Sequence, residues 1–307
     1  MSAVTLSCFV VFFVVGLTGN GLAMLLLQVQ RSAAQISLIE HLLFWLSVIR
    51  LFYLLLSCIP TLIYEILGKA FLSDPGCKGL VYFYTIFRVS EVVITLLVNA
   101  YHCAKLQNPI RLQAALKFVE KKWNCLQVVV SIIVLVGFIL LPLTVNSTAT
   151  PYNSSSPDIR EVNGCYLAYV NKRPPAGLAT IFIILFETVP FVLLLASNLY
   201  FLILLVKHRR KLNPAGPAQA FPEGGAQCSR GHRLARCKMI LAASSMLIFS
   251  WFINFIISFI CLWGKSLCSA ILLSVARVLY ILCPAFSPYF IFLGSRNLRG
   301  YLKRLFC

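Results

Sequence analysis

Seven long apolar runs alternate with polar connections along the chain, at about 4–28, 38–64, 78–104, 124–145, 178–206, 239–263 and 269–294. Each is continuously apolar and long enough for a helix to cross the hydrocarbon core of a bilayer, which takes about 20 residues. The period-two alternation of a membrane-spanning barrel is missing. Inside hydrocarbon every backbone N–H and C=O must find a partner within its own segment, so runs of this kind form helices. The pattern predicts an all-α membrane protein, a single seven-transmembrane helix bundle over 1–307. After the seventh run, Leu298, Leu302 and Leu305 share one helical face while Arg299, Lys303 and Arg304 lie off it. That spacing predicts a short amphipathic helix over about 295–306, resting on the membrane surface.

Composition sharpens this picture. Sixty per cent of the 307 residues are hydrophobic and only 12% are charged, with a mean hydropathy of +0.87. A soluble domain carries about a quarter charged residues, so most of this chain has a nonpolar solvent. The net charge of +18 would point to nucleic acid in a soluble protein. Here it is read as the lysine and arginine excess of cytoplasmic connections, and no nucleic-acid partner is expected. Of the 27 Lys and Arg, 18 fall in the connections after the first, third and fifth runs and in the tail, against six on the opposite side. The bias places the N-terminus outside the cell and the C-terminus inside, in a multi-pass plasma-membrane protein. The opening MSAVTLSCFV has neither a basic segment nor a small-residue cleavage site, so the first run is expected to stay as a helix. Two glycosylation sequons, at Asn146 and Asn153, both fall in a connection assigned to the outside, the side where acceptor sites must face.

The stretch of about 207–238 is rich in Pro, Gly and basic residues. Such a connection attracts anionic membrane lipid and offers a docking surface for a cytoplasmic protein. Most of the 12 cysteines lie in or beside apolar runs, as small packing residues do. Cys77, at the outer end of the third run, and Cys165, in the second outer connection, both face an oxidising compartment and are expected to form a disulfide. That bond would tie the loop over the mouth of the bundle. Cys261 and Cys268 flank the third outer connection and are a weaker candidate pair, and Cys307 is a weak palmitoylation candidate. No cysteine or histidine cluster has metal-ligand spacing, so neither metal nor cofactor is expected.

Charges inside the runs carry the functional signal, because ionisable groups at membrane depth are costly unless paired or hydrated. Arg50 lies in the second run, Arg88 and Glu91 in the third, Glu187 in the fifth and Arg277 in the outer half of the seventh. Arg88 and Glu91 are three residues apart and can pair along one helix face. Alternatively Arg88 can reach Glu187 and hold the bundle together. The functional reading is that Arg88, Glu91, Glu187, Thr95 and Arg277 line a hydrated cavity open to the outside, with Tyr84, Phe87 and Phe186 as apolar walls. Arg50, deeper, is assigned to a structural or switching polar network. Pro190, Pro284 and Pro288 remove backbone hydrogen bonds and kink their helices, which suits a two-state switch. No nucleotide-binding, metalloprotease or hydrolase motif is present, so an enzyme is not expected. No internal duplication of broken helices argues for a transporter.

Several motifs resemble known families. Gly16-Leu-Thr-Gly-Asn20, the seven runs, the outer cysteine pair and the basic third inner connection resemble a G-protein-coupled receptor. Tyr101-His102-Cys103 at the end of the third run departs from the usual rhodopsin-family Asp-Arg-Tyr. The run from Ile59-Pro60-Thr61 through Asp74-x-Gly76-Cys77-Lys78, with Tyr84, Arg88-Val89 and Ser287-Pro288-Tyr289, is similar to vomeronasal type 1 receptors, nearest the fish branch of class A-like olfactory receptors. Glu91 departs from that family, which usually has Arg there. A second resemblance, to bitter-taste type 2 receptors, rests on Ser47-x-x-Arg50, Lys105-Leu-x-Asn108 and Leu293-Gly294. Those receptors typically lack an outer disulfide, which counts Cys77 and Cys165 against them. The first resemblance implies a chemosensory receptor at a sensory-neuron surface, and the second, as the alternative, a bitter-taste receptor. The chemosensory receptor would bind a small odorant or pheromone-like molecule from outside and engage a heterotrimeric G protein near His102, Lys105, Lys207 and Arg210.

Overall fold

The computed structural model of the chain describes residues 3–33, 38–67, 72–107, 145–148, 159–162, 165–169, 188–212, 237–253, 256–257 and 270–294. Six helices stand among them: α1 (Ala3–Ala33), α2 (Leu38–Leu67), α3 (Asp74–Gln107), α4 (Val189–Leu212), α5 (Cys237–Ile253) and α6 (Ala270–Gly294). All but α5 are long and apolar enough to cross a membrane. The helical membrane bundle read from the hydrophobic pattern is therefore present. The fourth predicted run, the end of the sixth and the amphipathic tail helix lie outside the described residues, apart from Val145 and residues 256–257.

Local sequence explains where the elements begin and end. Asp74 and Pro75 stand in the first turn of α3, and the Cys77 N–H donates to the Ser73 carbonyl at 2.8 Å. A carboxylate there complements the helix dipole, and proline is tolerated because its missing N–H has no partner to lose in a first turn. The helix thus starts four residues earlier than its apolar run, and Cys77 lies within it. At its other end α4 runs on to Leu212. Lys207 and Arg210, expected in a loop, are helical. Val145, expected to close a helix, opens a strand instead.

That strand, β1 (Val145–Thr148), joins β2 (Ile159–Val162) and β3 (Cys165–Tyr169) in an antiparallel sheet with β3 in the centre. The register pairs Val145 with Tyr169 and Val162 with Cys165. The sheet's β1 lies against α3. The sequence between Val162 and Cys165 is Asn163-Gly164, a pair suited to a tight hairpin turn.

α1 packs between α2 and α6, and α3 between α2 and α4. Gly16 makes the first contact possible. A Cβ there would meet Leu54 Cδ1 at 2.6 Å and the Ala285 Cα at 3.1 Å. Gly19 admits the Tyr289 ring in the same way, at 2.9 Å from an added Cβ. Small residues at a helix crossing let backbones approach where lipid supplies no hydrophobic drive. The outward faces are apolar: Val192, Leu193, Leu199 and Ile203 on α4 are all exposed. The centre holds buried polar side chains instead, among them Asn20, Arg50, Glu91, Asn99 and Ser287. Apolar outside and polar inside is the arrangement a hydrocarbon solvent dictates.

Candidate ligand site and the buried polar layer

An ion pair lies at the heart of the bundle. Arg50 Nε on α2 donates to Glu91 Oε1 on α3 at 2.7 Å, and both side chains are buried. The sequence offered Glu91 either Arg88 along its own helix or a place lining a cavity; the structure pairs it with Arg50 across a helix interface. The reason is geometric. Glu91 is on the side of α3 that meets α2, with buried Thr95 one turn further on. Thr95 is itself buried and donates its hydroxyl to the Glu91 carbonyl at 2.7 Å. Cys283 on α6 is within electrostatic reach of both charges, so three helices meet at this layer.

Asn20 of the Gly-x-x-Gly-Asn motif completes it. Its Nδ2 donates to the Gly16 carbonyl at 2.8 Å and to the Pro284 carbonyl at 2.7 Å. The second bond answers a defect the sequence creates. In an α-helix the carbonyl of residue 284 would accept from the N–H of residue 288, but Pro288 has none. Asn20 supplies the missing donor from the neighbouring helix. Ser250 on α5 donates to the Leu279 carbonyl at 2.7 Å, one turn earlier on the same proline-bearing helix.

Toward the Cys77 end of the bundle, aromatic rings gather around Arg88. Its guanidinium carbon is 4.3 Å from the centroid of the Trp251 ring and 5.0 Å from that of Tyr280. Cation–π contacts of this kind are favourable, more so when desolvated. Tyr84 meets Tyr53 hydroxyl to hydroxyl at 3.1 Å and sets its ring edge-on to Tyr280. Phe87 stacks on Phe52 at 5.6 Å between centroids. The cluster thus draws on α2, α3, α5 and α6. It brings Tyr84 and Arg88 together with Tyr53, Trp251 and Tyr280, three residues that the sequence pattern does not mark, while Phe87 meets the exposed Phe52. Spacing within one run shows α3's face but not which rings of other helices meet it. Arg277 stands apart, 3.6 Å from Glu65, so that it links the ends of α6 and α2. Phe186 and Glu187 lie outside the described residues.

Cys77 is disulfide-bonded. Cys165 begins β3 and Asn146 lies in β1, across from Ala168; Asn153 lies outside the described residues. At the opposite end, Lys105 and Lys207 are exposed, with Lys105 5.5 Å from the Tyr101 ring. Arg210 lies on the last turn of α4. His102 differs from the other basic groups there: it is buried and stacked on Phe201 at 6.2 Å. Among the described residues no group of three or more His, Cys, Asp or Glu side chains could hold a metal ion.

Long apolar helices around a buried polar layer, with aromatic rings gathered toward one end, define a multi-pass α-helical membrane protein. The particular family follows from comparison: the chain matches the model of the taste receptor protein (TAS2R) family over residues 1–307. It belongs to that family. No curated protein matches the chain. Of the two resemblances drawn from the motifs, the match supports the taste receptor and gives no support to the vomeronasal one. A chemosensory receptor is common to both.

Proposed function

We propose that this chain is a bitter-taste-type receptor, activated by small organic molecules entering from outside the cell and coupled to a heterotrimeric G protein. The whole-chain family match carries the reading. In this reading the Cys77 end faces outward, and Cys77 pairs with Cys165 to tether the sheet at the bundle mouth. Asn146 and Asn153 are its glycosylation sites. Agonists contact the aromatic cluster of Tyr84, Phe87, Trp251 and Tyr280, with Arg88 in its midst. Glu91 acts as the counter-ion of Arg50 and supports the site from beneath. Lys105, Lys207 and Arg210 face the cytoplasm, where cationic helix ends suit a G-protein contact. The chain works at the plasma membrane of a sensory cell.

The disulfide at Cys77 favours a second reading, a vomeronasal type 1-like receptor, on the ground given by the motifs. Messenger localisation separates the two: gustatory epithelium supports the first, olfactory or vomeronasal epithelium the second. The receptor reading itself is tested by expressing the full chain with a G protein and screening organic amines, acids and steroids. Ligand-evoked nucleotide exchange on the G protein supports it. Ligand uptake without exchange would overturn it in favour of a transporter.

A further inference from the structure

Two thiols on different helices share one buried cluster at the Lys105 end of the bundle. Cys103 is four residues from the end of α3, and Cys237 is the first residue of α5. Neither forms a disulfide in this structure. Each is 6% exposed, and both pack into a cluster with Val98, Phe201, Leu205 and Ile240. They are close enough for one to act electrostatically on the other. Neither the ligand cluster nor the polar layer makes use of them. Two buried thiols from separate helices thus lie in one contact set.

We propose that Cys103 and Cys237 are a modification site, in which a peroxide-class oxidant joins their sulfurs and so clamps α3 to α5. One thiol gives up its proton and its sulfur attacks a peroxide oxygen; the O–O bond breaks, leaving a sulfenic acid, and the departing oxygen takes up the proton as water. The second thiol's sulfur attacks the sulfenic sulfur, and the hydroxyl, taking that thiol's proton, departs as the second water. With hydrogen peroxide, two thiols become one disulfide and the peroxide is reduced to two waters. Dithiothreitol or a cellular thiol reverses the bond by exchange. The clamp would hold the two helices in the arrangement seen here and oppose any rearrangement that parts them at this end. Bond formation stands on the thiol placement alone; its effect on signalling rests on the receptor reading.

The full-length protein is treated with hydrogen peroxide in membranes, blocked with N-ethylmaleimide, digested without reduction and mapped by mass spectrometry. A Cys103–Cys237 linked peptide that dithiothreitol removes is expected. Recovery of the two cysteines separately, or either one linked elsewhere, would overturn the site. In parallel, oxidation should abolish ligand-evoked nucleotide exchange in the parent protein and dithiothreitol should restore it. Cys103→Ser, Cys103→Ala and Cys237→Ser should respond equally before and after oxidation. A mapped bond that leaves exchange unchanged would refute the clamp. Absence of exchange even in the reduced parent would count against the receptor reading, and the peptide map would still decide the site.

Discussion

Glu91→Gln is the perturbation with the clearest consequence. The substitution keeps the side chain's size and removes its charge, leaving the Arg50 guanidinium buried opposite an amide. Removing one partner of a buried pair typically costs about 3–5 kcal/mol, and a lone arginine at mid-membrane about 2.5–3.5 kcal/mol on insertion scales. Taking about 3 kcal/mol, the ratio of folded to unfolded protein falls roughly a hundredfold. Since native stabilities are only about 5–15 kcal/mol, Glu91→Gln should sharply lower the surface-expressed fraction and the melting temperature of the purified protein. Arg50→Gln should cost less, because a stranded carboxylate can take up a proton whereas arginine cannot give one up. The double variant Arg50→Gln, Glu91→Gln strands neither charge and should be more stable than Glu91→Gln alone. The assay is a double-mutant cycle on melting temperature, with surface-to-total expression beside it. Additive single effects, or a Glu91→Gln protein with parental stability and an altered ligand response, would refute the argument. The second result would return Glu91 to the ligand site, as the sequence alone placed it.

Other substitutions probe the remaining contacts. Gly16→Val should destabilise by more than Gly19→Ala: the first drives branched carbons into Leu54 and the Ala285 backbone, while the second meets only the rim of the Tyr289 ring, and melting temperature ranks the two. Asn20→Leu strips the carbonyl of Pro284 of its donor and should cost about 1–2 kcal/mol, near the upper range for interhelical hydrogen bonds in membranes; thermal unfolding reads it. Glu65→Gln removes one partner of Arg277, but the pair is part-exposed and loosely spaced at 3.6 Å, so stability should change by less than about 1 kcal/mol. Trp251→Leu and Tyr280→Leu should each raise the agonist concentration needed for half-maximal response at least severalfold while the protein still reaches the surface; an unchanged dose response in both would remove the aromatic cluster from the ligand site.

The hydrophobic pattern made the helices legible because a bilayer imposes one strict rule on length and polarity. Its edges were less legible. The start of α3 lies in the polar stretch Ser73-Asp74-Pro75, visible as capping chemistry and not as hydropathy. The extension of α4 through Lys207 and Arg210 continues a helix into polar sequence, where no apolar periodicity marks it. The strands at 145–148, 159–162 and 165–169 are short, and Asn163-Gly164 was the local signal that could have announced two of them. In the site, the residue types were legible and the partners were not. Arg88 and Glu91 stand three apart on α3, close enough to pair, yet helix packing turned one to α2 and set the other beside rings of α5 and α6.

The polar layer and the aromatic cluster share helices and therefore constrain one another. Arg88 and Glu91 are one turn apart on α3, so the ring contacts of the first and the ion pair of the second fix the rotation of the same helix. Trp251 adjoins both levels: it touches the Arg88 guanidinium and packs in the cluster that contains Val92 and Cys283, next in sequence to Glu91 and to Pro284. On α6, Tyr280 meets the cation while Pro284, four residues on, hands its carbonyl to Asn20 of α1. A molecule that displaced the rings from Arg88 would thus act on α6 one turn above a proline whose missing hydrogen bond is already made from outside the helix. A bond borrowed from a neighbour can be exchanged without unwinding a turn. Asn20 therefore ties the proline-bearing turn of α6 to α1, at a crossing that Gly16 and Gly19 keep close.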